Sequence, residues 1–426
     1  MNSAARVPSA IAANIVSSRA YAEWRQIHED FAALRREAPL AVAQPEGYDP
    51  FWVIAKHADI MEVSRQPEIF NARGQRAGLT SRKQWSEMQA HKDSIRPVRS
   101  LVAMDPPEHM KFRLLTFADF APKGLKALEA DIRALARESV ADMAARNGSC
   151  DFARDIALYY PLRVILPLLG LPRSDEERML RLTQEFFNPN DPDLNQSGEA
   201  VDESAARTTA DEVLRDFYGF FDDLTDSRRR NPTKDLASVI ANGRIDGELM
   251  SHWDAASYYV TVLTAGHDTT SSSTAGAIWA LAERPDQFAR VKADPTLIPK
   301  LVDEAIRWTT PLLNFMRTAT QDYQLRGQTV RKGDWLMLAY PSGNRDEDVF
   351  DDPMAFNVAR APNPHVSFGY GAHVCLGQHL ARMEMRIFFE ELFQRLETLE
   401  LAGEPKRTVS KFIGGVKTAT IRYRMS

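Results

Sequence analysis

Cys375 lies in a segment whose residue types are suited to presenting a thiolate. The segment reads FGYGAHVCLG over residues 368–377 and directly precedes a strongly helical stretch. Glycine permits tight or left-handed backbone and a close approach to a flat ligand. A helix beginning at Cys375 would point its positive end at the sulfur and lower the thiol pKa. The pattern predicts a thiolate metal ligand; the alternative is an unreactive thiol in a glycine-rich turn.

A second pattern lies inside a long apolar segment, residues 249–281, which we expect to form a buried helix. It contains the run AGHDTT at residues 265–270, and glycine and threonine are poor residues for a helix centre. A threonine hydroxyl can bond to the carbonyl one turn back and loosen the helix locally. The run therefore indicates a polar groove in a buried helix, or else a stripe of small residues used for close packing.

Composition excludes several classes of protein. Lys and Arg total 53 against 58 Asp and Glu, a net charge of −5, which lacks the basicity that nucleic acid requires. Two cysteines, Cys150 and Cys375, do not make a disulfide framework. No apolar run reaches the roughly 18 residues that a spanning helix needs. We therefore expect a cytoplasmic protein with neither a nucleic-acid nor a membrane partner.

Periodicity predicts a mainly helical chain with small β-sheets. A strand leading into a helix is expected at 51–60, and strands at 322–340 and 408–424. Long loops are expected at 71–103 and 188–198, and a flexible arm at 1–22. Helices are expected at 123–147, 154–170, 174–187, 201–229, 285–292 and 296–309, and from Cys375 to about residue 395.

Over about residues 45–420 the chain resembles the cytochrome P450 family, and the segment around Cys375 resembles that family's haem-binding loop. The closest likeness is to the bacterial alpha-terpineol monooxygenase subfamily. The similar runs are EGYDP (46–50), CDF (150–152), ALYYP (157–161), TAGHDTTSSS (264–273) and GAHVCLGQH (371–379).

The resemblance implies the cytochrome P450 fold, with haem b (iron protoporphyrin IX) between the long central helix and the Cys375 helix. Cys375 would be the axial ligand of the iron. Because motifs far apart in the chain must then meet at one cofactor, residues 23–426 are expected to form a single domain. Asp268 and Thr269 would be the acid–alcohol pair, in which Thr269 binds the reacting oxygen and a water while Asp268 relays protons.

Further residues are assigned to the cofactor by the same resemblance. His109 and Arg113, four apart on one helix face, would bind the haem propionates together with Arg317 and His373. Ala265, Phe368 and Gly377 would contact the haem or pack against its ligand loop.

Glu304 and Arg307 lie three apart on one helix face. At this spacing an ion pair is common and usually weak. The resemblance makes them a buried pair that braces the haem loop, with Arg360 or Asn357 as candidate partners.

The expected substrate is a small apolar molecule, a compact monoterpenoid or an alkyl-aromatic hydrocarbon. Loops near 71–103 and 188–200 would form a lid. The distal pocket would be lined by Thr261, Thr264, Ala265, Leu312, Leu313, Phe315, Phe412 and Ile413.

The implied reaction is hydroxylation with O2, driven by NAD(P)H through an acidic ferredoxin and its reductase, because the chain contains no dinucleotide fingerprint. Lys111, Arg113 and Arg382 would form the basic docking surface. Two alternatives remain: a peroxide-dependent haem enzyme, against which the Asp268–Thr269 pair argues, and a haem-binding sensor or carrier without turnover.

Overall fold

Helices form the larger part of the chain. The computed structural model describes residues 5–73, 78–90, 95–187, 191, 193 and 203–426, without the side chains of 203–207. In chain order the α-helices are α1 (Ser9–Ile15), α2 (Ser18–Ala22), α3 (Arg25–Glu37), α4 (His57–Ser64), α5 (Arg82–Ala90), α6 (Glu108–Leu114), α7 (Phe117–Phe120), α8 (Pro122–Leu125), α9 (Glu129–Ala144), α10 (Tyr159–Leu168), α11 (Glu176–Phe187), α12 (Glu203–Arg230), α13 (Leu236–Ala241), α14 (His252–Glu283), α15 (Pro285–Ala293), α16 (Ile298–Thr309), α17 (Tyr340–Gly343) and α18 (Gln378–Arg395).

The strands form small sheets, which confirms the predicted fold class. The largest sheet has the order β1-β2-β10-β7-β3, and a second has the order β11-β14-β4. The strands are β1 (Leu40–Ala43), β2 (Phe51–Ile54), β3 (Phe70–Asn71), β4 (Ser149–Asp151), β5 (Arg244–Ile245), β6 (Glu248–Leu249), β7 (Asn314–Ala319), β8 (Tyr323–Leu325), β9 (Gln328–Val330), β10 (Trp335–Ala339), β11 (Leu396–Leu401), β12 (Lys406–Arg407), β13 (Val416–Thr418) and β14 (Thr420–Met425).

Helix α14 is the long central helix that the apolar segment predicted. It begins at the N-cap Ser251, whose hydroxyl accepts the backbone N–H of Asp254. The helix contacts α10, α12 and α16, and most of its side chains are buried. A Cβ on Gly266 would lie 2.6 Å from Cδ1 of Ile165, so glycine at this position allows α14 to pack closely against α10.

Strand β7 brings alternate side chains to the interior cavity described below. Phe315 and Arg317 line that cavity, whereas Met316 between them is fully buried in the hydrophobic core on the opposite face of the sheet. This is the two-residue period of a strand. The antiparallel pairing of β7 with β10, where Arg317 lies opposite Leu336, fixes the register that directs Arg317 inward.

The N-terminal segment differs from the flexible arm expected over 1–22. From residue 5 onward it is ordered: Val7 N–H donates to Val42 O at 3.0 Å, and helices α1 and α2 follow. Ala12, Ile15 and Tyr21 are buried in the core that also contains β1 and β2. The local sequence is polar and rich in small residues, so the stabilisation comes from these tertiary contacts.

Within the described ranges, no helix combines the length and the apolar character needed to cross a membrane.

Candidate active site

The loop that carries Cys375 is held by backbone geometry that requires glycine. The Cys375 N–H donates to the carbonyl of Phe368 at 2.8 Å, which closes the loop. Gly369 and Gly371 have φ values of 68° and 71°, in the left-handed region predicted for this turn. A Cβ on Gly371 would also collide with the carbonyl oxygen of Ser64. Gly377, in contrast, has an ordinary φ of −83° and is the N-cap of α18.

Burial and the neighbouring groups shift the pKa of the Cys375 thiol in opposite directions. Burial is the largest influence and raises the pKa of the thiol. Hydrogen bonds from the backbone N–H groups of Gly377 and Gln378 and the charges of Arg113 and Arg382 act in the opposite direction. Helix α18 begins at Gln378, three residues later than predicted. The backbone N–H groups at its start nevertheless point at the sulfur. In the protein alone the net direction of the pKa shift is opposite to the lowering that was predicted. A metal bound to the sulfur would favour the thiolate.

An interior cavity of about 390 Å³ lies between the Cys375 loop and α14. Ala265 and Thr269 line it from α14, and Phe368, Cys375 and Gly377 line it from the opposite wall. The side chains of Ala265 and Cys375 are exposed only because this cavity reaches them. The structure thus brings together the two motifs that are 110 residues apart in the chain, Ala265 and Cys375.

Two arginines and two histidines, the predicted propionate ligands, cluster at one side of the cavity. His109, Arg113, Arg317 and His373 all line it, and the rings of His109 and His373 lie 4.3 Å apart between centroids. Burial and the neighbouring cations lower the pKa of His109 to about 4 and that of His373 to about 3. Among the described residues, no carboxylate forms an ion pair with Arg113 or Arg317.

Unpartnered polar atoms in this cluster indicate what is bound there. His109 Nδ1 and His373 Nε2 are buried without a hydrogen-bond partner, and burial lowers the pKa of Arg113 and of Arg317. Buried donors and charges of this kind are costly unless they are paired. A flat ligand carrying two carboxylates at its edge, with a metal at its centre for the Cys375 sulfur, satisfies all of them. The residues present therefore fit a haem with its two propionates.

Of the acid–alcohol pair, Thr269 lines the cavity, whereas Asp268 is buried beside it in α14 and is not among the lining residues. The Thr269 hydroxyl lines the cavity and donates to the Ala265 carbonyl one turn back at 2.8 Å. This is the predicted back-bonding, although α14 remains an unbroken helix. Asp268 is 7% exposed, and burial raises its pKa to about 6, while His267 acts in the opposite direction. A carboxyl group with such a pKa can both accept and release a proton near neutral pH.

The predicted Glu304–Arg307 pair is completely buried. The carboxylate accepts Nε and Nη2 of Arg307, each at 2.7 Å, and Nε of Arg360 at 3.0 Å. Asn357 contributes its backbone N–H at 2.8 Å. Both candidate partners, Arg360 and Asn357, therefore contact Glu304.

Most of the predicted substrate-pocket residues line the cavity. Leu313 does not: its side chain is 3% exposed and packs in the core on the far side of the sheet, because it points opposite to its neighbour Leu312. The part of the 71–103 loop that is described reaches the cavity through Val98, Leu101 and Val102, and most of the 188–200 loop lies outside the described residues. The predicted residues that line this cavity are Thr261, Thr264, Ala265, Leu312, Phe315, Phe412 and Ile413.

Several lining residues were not found from the sequence. Glu384 lines the cavity from α18, is 1% exposed, and has a pKa raised far above its usual range by burial, with a hydrogen bond to Thr270. The signal that was available is its position in the helix that follows Cys375, nine residues after the cysteine. Phe120, Ile165 and Phe186 line the cavity from other elements, and no local pattern marks them.

The three proposed docking cations lie in different environments. Arg113 is 8% exposed and faces the cavity, so it is not part of an external surface. Lys111 is half-exposed and pairs with Asp246 at 2.6 Å. Arg382 is partly exposed, pairs with Asp303 at 2.8 Å, and places its guanidinium 4.4 Å from the Phe368 ring centroid.

A cysteine loop facing a long helix, beside two buried arginines that lack anions and two histidines with unpartnered ring nitrogens, defines a haem-thiolate protein. The family model described as Cytochrome P450 matches residues 14–423, and the chain belongs to this family. It is a cytochrome P450 monooxygenase, and its cofactor is haem b.

Relatives and solved structures agree with this assignment. The chain is 44% identical to cytochrome P450-terp of a Pseudomonas species, over 99% of both chains, which confirms the predicted resemblance. It is 32% identical to linalool 8-monooxygenase of Pseudomonas putida, over 92% of this chain and 95% of that one. A crystal structure of a cytochrome P450 from Novosphingobium aromaticivorans superposes with a TM-score of 0.91 at 42% identity, covering 99% of this chain and 100% of that chain.

Proposed function

We propose that this cytochrome P450 hydroxylates a small apolar substrate, a monoterpenoid or an alkyl-aromatic hydrocarbon. The observation that carries the proposal is an aromatic wall. Phe187 lies 6.4 Å and Phe315 lies 5.8 Å from Phe412 between ring centroids, and Phe186 lies 5.2 Å from Phe187. All four rings line the cavity. Rings arranged in this way favour hydrocarbon surface and the π-faces of unsaturated or aromatic groups.

Charge supports the same substrate class. The charged or titratable side chains among the described lining residues are few. They are Glu384, the four proposed propionate ligands His109, Arg113, Arg317 and His373, and also Cys375, Tyr258, Tyr340 and Tyr370. Burial raises the pKa of Glu384 far above its usual range, which favours the neutral carboxyl. An ionised substrate would therefore have no counter-charge near the aromatic wall. The names of two relatives, cytochrome P450-terp and linalool 8-monooxygenase, support a terpenoid.

The chain's own residues have separate tasks in this reaction. The bound haem supplies the activation of O2, which electron donation from the Cys375 thiolate favours. Arg113, Arg317, His109 and His373 hold the propionates and so orient the cofactor. Thr269 presents a hydroxyl at the cavity wall, Asp268 relays protons towards it, and the apolar wall excludes bulk water from the reacting atoms.

We further infer that residues 23–426 act as a single domain in the cytoplasm and receive electrons from NAD(P)H through an acidic ferredoxin. The cavity between α14 and the Cys375 loop is also lined from α6 and β7, which supports a single unit. Arg382 lies close enough to Cys375 to influence the sulfur and is partly exposed, which supports docking of an acidic partner on that side.

A spectral titration tests the substrate assignment. Compounds that enter the cavity displace water from the haem iron and change the haem spectrum. We expect saturable changes with monoterpenoids and alkyl-aromatics, and none with their carboxylated analogues of the same size. A Phe412→Ala variant should bind the best ligand about tenfold more weakly, since truncating a buried aromatic contact costs roughly 1–2 kcal/mol. Preference for a charged analogue would contradict the proposal.

A second experiment tests the acid–alcohol pair. Thr269→Ala should consume reductant at a rate similar to the parent but convert much less of it to product, because the hydroxyl that directs protons is missing. Thr269→Ser is the matched control, since it keeps the hydroxyl and should retain most of the coupling. The measurement is product formed per NAD(P)H consumed. Parent-level coupling in Thr269→Ala would show that this hydroxyl has no such role.

A further inference from the structure

His267 is fully buried and contacts two other parts of the fold as well as its neighbour in α14. Its Nε2 lies 2.6 Å from the carbonyl oxygen of Leu158, just before α10. Its Nδ1 lies 3.1 Å from the hydroxyl of Thr183 in α11 and 3.2 Å from Oδ1 of the adjacent Asp268. The sequence motif that identified Asp268 and Thr269 assigned no role to this histidine.

Counting protons at this site shows what must lie between His267 and Asp268. A carbonyl oxygen can only accept, so Nε2 carries a hydrogen that it donates to Leu158. The Thr183 hydroxyl donates its own hydrogen to Leu180 O at 2.9 Å. With a neutral ring and an ionised carboxylate, neither the 3.1 Å contact of Nδ1 with Thr183 nor its 3.2 Å approach to Oδ1 would contain a hydrogen. A favourable contact needs one proton there, carried by the ring or by the carboxyl group.

We propose that His267 is a positioning residue that stores the relay proton jointly with Asp268, between its Nδ1 and the Asp268 carboxyl group. The inference rests on the proposed role of Asp268 in proton delivery and deepens it. Asp268 Oδ2 is buried without a hydrogen-bond partner among the described residues, so no competing hydrogen bond holds that oxygen. The pKa of Asp268, raised to about 6, is compatible with exchange near neutral pH.

Thr183 completes this arrangement. When the proton leaves Asp268 for the acceptor in the cavity, the bare Nδ1 of His267 loses its hydrogen-bond donor. Rotation of the Thr183 hydroxyl from Leu180 O to Nδ1 replaces that donor without moving the ring. A proton from solvent then returns to the pair, and the hydroxyl returns to Leu180, so each cycle passes one proton and no electron. Among the described residues, His267 is the titratable group whose charge acts on Asp268.

A spectroscopic experiment detects the stored proton without turnover. In the haem-loaded protein at neutral pH, we expect either a protonated Asp268 carboxyl band in the infrared difference between the parent and Asp268→Asn, or a protonated Nδ1 signal in nitrogen-15 histidine NMR that is lost in His267→Gln. The absence of both signals would overturn the proposal.

A kinetic experiment separates this role from a structural one. His267→Gln should lower product formed per reductant by about tenfold and change the pH profile of coupling, while substrate affinity in the spectral titration stays at the parent value. His57→Gln is the matched control: His57 is buried, and its Nε2 also binds a backbone carbonyl, that of Pro364 at 2.7 Å, but no ion pair with a carboxylate involves its ring among the described residues. Parent-level coupling and an unchanged pH profile in His267→Gln would overturn the proposal.

Two further variants keep the test decisive. If His267→Gln does not fold, Thr183→Val removes only the hydroxyl and should reduce coupling about threefold, whereas Thr183→Ser should not. Equal coupling in the two Thr183 variants would overturn the proposal.

Asp268→Asn separates failure of the proposed proton relay from failure of the role of His267. If it retains parent coupling, the proposed relay itself fails. If it loses coupling while His267→Gln does not, only the role of His267 fails.

Discussion

Cys375→Ser is expected to abolish reductant-driven turnover and to change the spectrum of the reduced, carbon monoxide-treated protein. A serine hydroxyl stays protonated at neutral pH and donates much less electron density than a thiolate, so the characteristic haem-thiolate spectrum should disappear even if haem still binds. The loop itself should survive, because Gly369, Gly371 and the Cys375 N–H to Phe368 bond do not depend on the sulfur.

The chain contains its own control for this experiment. Cys150, the other cysteine, is buried in β4 and pairs across to Ile421 of β14, away from the cavity. Burial raises the pKa of its thiol to about 11, so it is not a thiolate at neutral pH. Cys150→Ala should keep both the spectrum and turnover. A haem-thiolate spectrum that persists in Cys375→Ser, or disappears in Cys150→Ala, would contradict the ligand assignment.

Glu304→Gln is expected to destabilise the haem-loaded protein by about 3–5 kcal/mol, the usual cost of removing one partner from a buried ion pair. The substitution leaves the guanidinium groups of Arg307 and Arg360, which are 0% and 8% exposed, without their anion. The free energy of unfolding, from denaturant titration, is the measurement.

The same variant should also release haem faster, because the pair is linked to the ligand loop. Arg307 Nη1 donates to the Asn344 carbonyl at 2.9 Å. The Asn344 side chain accepts the Val366 N–H and donates to the Ser367 hydroxyl, each at 2.8 Å. Val366 and Ser367 directly precede the Cys375 loop, so loss of Glu304 loosens the base of that loop.

An exposed ion pair provides the matched control for Glu304. Glu397 and Arg424 form a cross-strand pair at 2.7 Å, with side-chain exposures of 39% and 70%. Glu397→Gln should cost no more than about 1 kcal/mol, because solvent screens an exposed pair. A similar loss in the free energy of unfolding for the two substitutions would show that burial of Glu304 is not the cause of the destabilisation.

Spacing in the sequence was sufficient to predict local geometry wherever the interacting residues are neighbours in the chain. The glycines before Cys375 produce the left-handed turns that their positions predict, and Thr269 bonds one turn back as its place in a helix requires. Glu304 and Arg307 meet because a helix places residues three apart on one face. In each case the backbone period determines which side chains can touch.

Positions that depend on distant elements were predicted less well. Leu312 and Leu313 are chemically equivalent in sequence, but the bridge between Leu312 and Ile413 and the strand register send only Leu312 into the cavity. Arg113 was predicted to form part of the basic docking surface, but helix α6 directs its side chain towards the cavity. The N-terminal segment is ordered by docking on β1, which its own composition does not indicate.

The sequence by itself, through its resemblance to the family, indicated Cys375 as metal ligand, the Asp268–Thr269 pair and the Glu304–Arg307 pair, since the residues of each motif lie within one turn or one loop of the chain. Tertiary structure alone decided the aromatic wall, the inward-facing Glu384 and the contacts of His267 with Thr183 and Leu158, which are 84 and 109 residues away. The physical reason is that these groups interact only after packing of α10, α11 and α14 excludes water between them, and local periodicity contains no information about that packing.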